Sequence, residues 1–201
     1  MGDEGRAGAR MFSACTLNVR GLCSVHKLAA TLAWAQEQPY TAVILQECHL
    51  RESPLEWARG QGGADMIWKG HAFYEPGTGH ADGCWVLLKP SALITGVRRF
   101  QPPIPVAVGR VVRVDFELLG RPSSLVCVYA PARAHERPRF FTHTLPAYLP
   151  RRGERTVLLG GDFNCITDTA DYIGPTERGE GGPEGGERRE GGRKRGGGAP
   201  P

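Results

Sequence analysis

The apolar residues of this chain fall into short blocks divided by glycine, proline and charged punctuation, and the period within each block predicts its element. Met11 to Leu17 (MFSACTL) predicts a strand ending at Asn18-Val19-Arg20-Gly21, where the glycine permits a sharp turn. Ser24 can then cap a helix with Leu28, Leu32 and Ala35 on its apolar face, Trp34 beside them and an end before Pro39. Thr41 to Leu45 (TAVIL) is a continuous apolar run, short enough for a strand buried on both faces, and it leads into Gln46-Glu47. Residues 64–74, 84–89, 92–98 and 106–119 read as further strands, antiparallel in character and separated by Pro76-Gly77, Pro90 and Pro102-Pro103. Ser123 to Tyr129 (SSLVCVY) is another buried strand, closed by Ala130-Pro131. Glu136 to Leu149 has helical spacing in Phe140, Phe141, Leu145 and Leu149, with Pro146 interrupting its last turn. Thr156 to Leu159 is a short strand entering Gly160-Gly161-Asp162-Phe163-Asn164.

Alternating strand and helix signals predict an α/β domain over residues 11–174. Residues 1–10 have no apolar periodicity and read as a loose leader, and residues 175–201, rich in Gly, Arg and Glu, read as a disordered tail. Within that tail Arg193-Lys194-Arg195 reads as solvated charge, with a nucleic-acid contact or a weak nuclear signal as the alternatives. A chain of 201 residues with 40% apolar residues suits one sizeable domain, and its formal charge of +4 is compatible with an anionic partner without requiring one. No secretory signal or run of transmembrane length is present in the sequence, so an intracellular protein, nuclear or cytoplasmic, without a membrane partner is expected. The six cysteines form no CxxC pair and read as small buried or half-buried residues.

The chemistry concentrates where strands end. Asn18, Glu47, Tyr129, Asp162 and Asn164 each follow an apolar strand, and strand ends on one edge of a layered α/β fold converge on a shared crevice. Glu47, with Asn18 or Asp162 nearby, offers the hard oxygen donors that Mg²⁺ prefers. Asp162 can orient or deprotonate a water, and Asn164 and Tyr129 can donate to oxygens that gain charge. Taken singly, Asn18 also fits a turn residue, Glu47 a solvated strand terminus and Tyr129 a packed aromatic before a turn.

Four segments in order carry a resemblance: Leu17-Asn18-Val19-Arg20-Gly21-Leu22, Leu45-Gln46-Glu47-Cys48-His49-Leu50, Val128-Tyr129-Ala130-Pro131 and Gly161-Asp162-Phe163-Asn164. Together they resemble the endonuclease/exonuclease/phosphatase family, and most of all the apurinic-like endonuclease domain of non-long-terminal-repeat retrotransposons. The resemblance implies a two-sheet α/β sandwich with outer helices. It implies Mg²⁺, or Mn²⁺ in its place, at Glu47 and Asn18, with Asp162 acting on the water, Asn164 and Tyr129 holding the phosphate, and His49 supporting Glu47 or its loop. It further implies DNA as substrate, nicked to free a 3′-hydroxyl that primes reverse transcription, and a reverse transcriptase domain in the parent polyprotein.

The sequence also departs from the family. A late Ser-Asp-His segment usual there has no counterpart, because no histidine follows His143, and His143 itself stands at the wrong point of the chain for that role. Asp168 and Asp171 follow the last motif and read as solvated loop residues, and Cys48 stands where threonine is common. A C-terminally truncated domain, nearly inactive as an isolated chain, is therefore expected, with a non-catalytic remnant or nucleic-acid-binding fragment and a phosphatase or lipid phosphodiesterase relative as the other readings.

Overall fold

The computed structural model describes residues 11–50, 52–60, 63–77, 82–102 and 108–165. The expected leader, the tail and residues 166–174 lie outside the described residues. Two four-stranded sheets stack face to face: β1 (Ala14–Asn18), β2 (Ala42–Gln46), β4 (Cys84–Leu88) and β3 (His71–Glu75) in that order, and β5 (Ile94–Arg99), β6 (Val111–Leu118), β7 (Arg121–Tyr129) and β8 (Thr156–Asp162). In each sheet one parallel pair, β1 with β2 and β7 with β8, adjoins antiparallel strands. The expected two-sheet α/β sandwich is the fold found.

Period-two alternation explains why continuous apolar runs became central strands. In β2, Ala42 and Ile44 face the other sheet and, with Val86 of their own sheet, share a core with its Val112, Val114, Phe116, Leu125 and Cys127, while Val43 and Leu45 face outward. That outward face is covered by helix α1 (Val25–Glu37), whose Leu28, Leu32 and Ala35 are buried. Ser24 caps α1 by accepting from the Lys27 N–H at 3.2 Å, and the helix stops at Gln38, before Pro39. On the second sheet Val126 and Val128 face outward against Phe140, Leu145 and Tyr148. Those three belong to a helical stretch that is α over Arg137–Arg139, π over Phe140–Thr144 and 3-10 over Leu145–Tyr148. Pro146 has no N–H for an ordinary helical bond, so the winding changes where the sequence removes the donor.

Several boundaries differ from expectation. Residues 64–74 are not one strand: Ala64–Ile67 form a short helix, α3, and β3 begins only at His71. Alternation would bury Met66 together with Ala64, but Met66 is 65% exposed, and Ala64, Ile67 and Trp68 pack inward at helical spacing instead. Helix α2 (Glu52–Arg59) was not anticipated. The first strand starts at Ala14 rather than Met11, and the strand expected over 106–119 starts at Val111 after a turn at 108–110, residues 103–107 lying outside the described set. Cys48, Cys84 and Cys127 are buried and Cys15 is half-buried, but Cys23 and Cys165 are exposed, against the expectation of burial. Among the described residues no helix is long and apolar enough to cross a membrane.

The outward face of β6 carries an ion pair that the apolar reading of this strand overlooked. Arg113 donates from Nε and Nη2 to both oxygens of Asp115 at 2.7 and 3.0 Å, lies 4.0 Å over the Phe100 ring and donates to the Tyr148 carbonyl. Ser124 Oγ donates to Asp115 as well, at 2.7 Å, and Arg155 Nε lies 3.7 Å away. Burial alone would raise the Asp115 pKa, but these donors together hold it below the ordinary carboxylate range. Arg113→Ala is expected to cost about 3 kcal/mol, because it removes the bidentate partner of a buried carboxylate and leaves only Ser124 and the more distant Arg155 against its charge. The folded-state pKa being depressed, Asp115 stabilises the fold above its unfolded value and loses that contribution as pH falls through the folded one. Urea midpoints measured between neutral pH and about pH 3 check this: Asp115→Asn should flatten the acid limb.

Candidate active site

The two parallel pairs end at one edge of the sandwich. In register, Asn18 lies beside Gln46 at the ends of β1 and β2, and Tyr129 beside Asp162 at the ends of β7 and β8. Two side-chain hydrogen bonds then join the sheets: Asn18 Nδ2 donates to Asp162 Oδ2 at 2.9 Å, and Tyr129 OH donates to Glu47 Oε1 at 2.9 Å. Asp162 Oδ1 accepts from the Asn164 N–H at 2.9 Å, and Asn164 Nδ2 donates to the Ala130 carbonyl at 2.7 Å. Asn18, Glu47, Tyr129, Asp162 and Asn164 are thus brought together. Tyr129 and Asn164, read from the sequence as phosphate donors, here direct those donors to Glu47 and Ala130.

Local sequence explains the placement. Gly161, at φ 145°, lies so close to β7 that a Cβ would meet the Val128 carbonyl oxygen at 1.9 Å, so only glycine lets β8 reach Asp162 in register. Phe163 stacks on Phe141 at 6.5 Å, anchoring the Asp-Phe-Asn triplet on the helical side while its polar neighbours bond at the strand ends. The loops after β1 and β2 are laced by Gly21 N–H to Glu47 O and Leu22 N–H to Cys48 O, both 2.6 Å, and Lys27 Nζ holds the Val19 carbonyl at 2.9 Å. Arg20, Glu47, His49, Asp82 and Asn164 all have positive φ, between 41° and 71°. Such backbone costs on the order of 1–3 kcal/mol per residue and gathers where function holds it.

Burial first, and then the hydrogen bond to Glu47, push the Tyr129 phenol well above its ordinary pKa, so it stays a donor across physiological pH. Glu47 presents its second carboxylate oxygen away from that bond. The donor set of Glu47, the Asn18 amide oxygen and Asp162 is all hard oxygen, which fits a Mg²⁺-like ion. Among the described residues no three His, Cys, Asp or Glu side chains converge as a metal cluster. His49 lies behind the loop, with its N–H on the Asp82 carbonyl at 3.0 Å and its Nε2 buried without a partner among the described residues. His143 is exposed, its Nδ1 2.6 Å from Thr142 Oγ1. Asp168 and Asp171 lie outside the described residues.

Two residues at this edge escaped the sequence reading. Asp82, buried, pairs with Arg110 at 3.0 Å, and the Arg110 guanidinium lies 5.5 Å from the centre of the Tyr129 ring. Burial pushes the Asp82 carboxyl up, with Arg110 and then His49 pulling it back. Both sit in a polar-glycine pair just before an apolar strand, Asp82-Gly83 before β4 and Gly109-Arg110 before β6, and that was the available signal.

A sequence profile described as Endonuclease/Exonuclease/phosphatase family matches residues 15–200. A Xenopus laevis protein described as "Transposon TX1 uncharacterized 149 kDa protein" is 30% identical over 172 residues, 83% of this chain but 12% of its own length. An AP endonuclease from Archaeoglobus fulgidus superposes with a TM-score of 0.57 at 16% identity, over 82% of this chain and 62% of that one. A 3′-5′ exonuclease from Neisseria meningitidis does so with a TM-score of 0.53 at 22% identity, over 80% and 60%. With this profile match across most of its length, the chain belongs to the endonuclease/exonuclease/phosphatase family.

Proposed function

We propose that this chain is a divalent-metal-dependent DNA endonuclease domain of retrotransposon type, with Glu47 and Asn18 as metal ligands and Asp162 as the group that acts on water. The observation carrying the reading is the pair of cross-sheet hydrogen bonds, Asn18 to Asp162 and Tyr129 to Glu47, which gather two carboxylates and their polar partners at one strand edge. Family membership, the likeness to a transposon protein and the superposition on an AP endonuclease support DNA as the substrate and a reverse transcriptase domain in the parent polyprotein.

Asp162 orients a water toward phosphorus and takes its proton, while Asn18 and the Asn164 N–H fix the rotamer of that carboxylate. Glu47, held by Tyr129 at one oxygen, keeps its other oxygen for the metal. A bound Mg²⁺, or Mn²⁺, supplies charge neutralisation for the phosphoryl oxygens. The second N–H of Asn164 Nδ2 can turn to the substrate phosphate without giving up Ala130. The P–O3′ bond then breaks and leaves a 3′-hydroxyl. Solvent water supplies the proton to that leaving oxygen where no side chain does, and for these 201 residues taken alone we propose a rate roughly a hundred- to a thousandfold below that of a site with an oriented donor there.

Relaxation of supercoiled plasmid by the purified chain tests the reading. Slow single-strand nicking is expected with Mg²⁺ or Mn²⁺ and none with EDTA. Salt-sensitive DNA binding without any nicking would instead identify a binding module, and hydrolysis of phosphomonoesters or lipids in preference to DNA would move the substrate class.

A further inference from the structure

Asp82 and Arg110 sit at the site edge yet have no part in the chemistry proposed above. We infer that they form a positioning pair, which fixes the Tyr129–Glu47 hydrogen bond and with it the direction in which Glu47 presents its free oxygen. The inference rests on the reading of Glu47 as a metal ligand.

The pair is built into the backbone on both sides of that one bond. On the Glu47 side, the Cys48 N–H donates to Gly83 O and the His49 N–H to Asp82 O, each at 3.0 Å, so the Asp82-Gly83 turn carries the loop that holds Glu47 at φ 52°. On the tyrosine side, the Tyr129 N–H donates to Arg110 O at 2.8 Å, and the Arg110 guanidinium lies over the phenol ring. Gly83 N–H to Gly109 O, 2.8 Å, ties the two turns together, and the Asp82–Arg110 ion pair closes the loop at side-chain level. Gly83 is held at φ 100°, where a Cβ would meet Tyr74 OH and the His49 nitrogen at 3.2 Å, so the turn has little freedom to drift. The side chains are 9% and 25% exposed. A pair this sheltered is a poor stabiliser compared with apolar residues of similar volume. Its geometry has a use where an error of about 1 Å at a reacting group costs roughly a hundredfold in rate.

The competing explanation is a simple field effect, in which Asp82 attracts a cation and Arg110 repels it. Single substitutions mix the two effects, so the informative variant is the double Asp82→Asn/Arg110→Gln, which removes one charge of each sign. Mn²⁺ affinity, read by titration calorimetry on the full chain without DNA, should fall about tenfold in the double variant, the order seen when outer-shell partners of metal ligands are lost. The nicking kcat should fall by a similar factor while KM for DNA stays nearly constant. Unchanged Mn²⁺ affinity in a double variant that keeps the wild-type melting temperature overturns the inference. Should the double variant fail to fold, Arg110→Lys carries the same comparison, since it keeps the charge and loses the planar fork; a severalfold loss is expected and wild-type affinity overturns the inference. Glu47→Ala in the same titration separates the two levels. If Glu47→Ala removes Mn²⁺ binding and the double variant does not weaken it, only the positioning pair fails. If Glu47→Ala leaves Mn²⁺ affinity intact, the ligand reading fails and the inference with it.

Discussion

Glu47→Gln is expected to reduce Mg²⁺-dependent nicking by roughly a thousandfold, and Glu47→Ala by a similar factor, because a metal's charge stabilisation of a phosphoryl transition state is worth several kcal/mol. The glutamine variant is the sharper of the two. Its amide oxygen can still accept the Tyr129 hydroxyl, so the loop and the cross-sheet bond survive while the negative charge is lost. If Glu47 served only as Tyr129's acceptor, glutamine would retain most of the activity. Rates from plasmid nicking, set beside melting temperatures of both variants, decide between these roles, and glutamine should melt close to wild type.

Asp162→Asn is expected to lower kcat by about 10²- to 10⁴-fold, the range for removal of a general acid-base group, with KM for DNA little changed. Asparagine keeps the size of the side chain and one acceptor for the Asn164 N–H, yet it cannot take a proton. The bond to Asn18 adds a second expectation. Asn18 Nδ2 now donates to a carboxylate, while its Oδ1 accepts from the Arg20 N–H at 3.0 Å, so Asn18→Asp would place two carboxylates within hydrogen-bond distance. That variant should lose activity at neutral pH through like-charge repulsion rather than through loss of shape.

Much of this arrangement was legible in the sequence, for a definite reason. Strands such as TAVIL and SSLVCVY are apolar on both faces because each lies between a second sheet and a helix, and a polar residue directly after such a run has to emerge at a sheet edge. Asn18, Glu47, Tyr129 and Asp162 were found that way. Asp82 and Arg110 were not, because they precede their strands rather than follow them. In a mixed sheet, an antiparallel neighbour brings its N-terminus to the same edge: β4 runs against β2 and β6 against β7, so the residues before those strands arrive beside Glu47 and Tyr129. The strand misread over 64–74 failed for another reason. Its apolar residues suit either period over so short a run, and only packing against the α1 side of the first sheet selects the helical turn. Arg113 and Asp115, lost inside an apolar strand pattern, owe their burial to a helical stretch some thirty residues later, which no local period announces.

Mn²⁺ bound to crystals of the chain and located by anomalous scattering tests the central claim most directly. The account predicts a peak about 2.1 Å from the Glu47 carboxylate oxygen not bonded to Tyr129, lost in Glu47→Gln crystals of the same form. A peak elsewhere on the molecule, or an undiminished one in that variant, would contradict it.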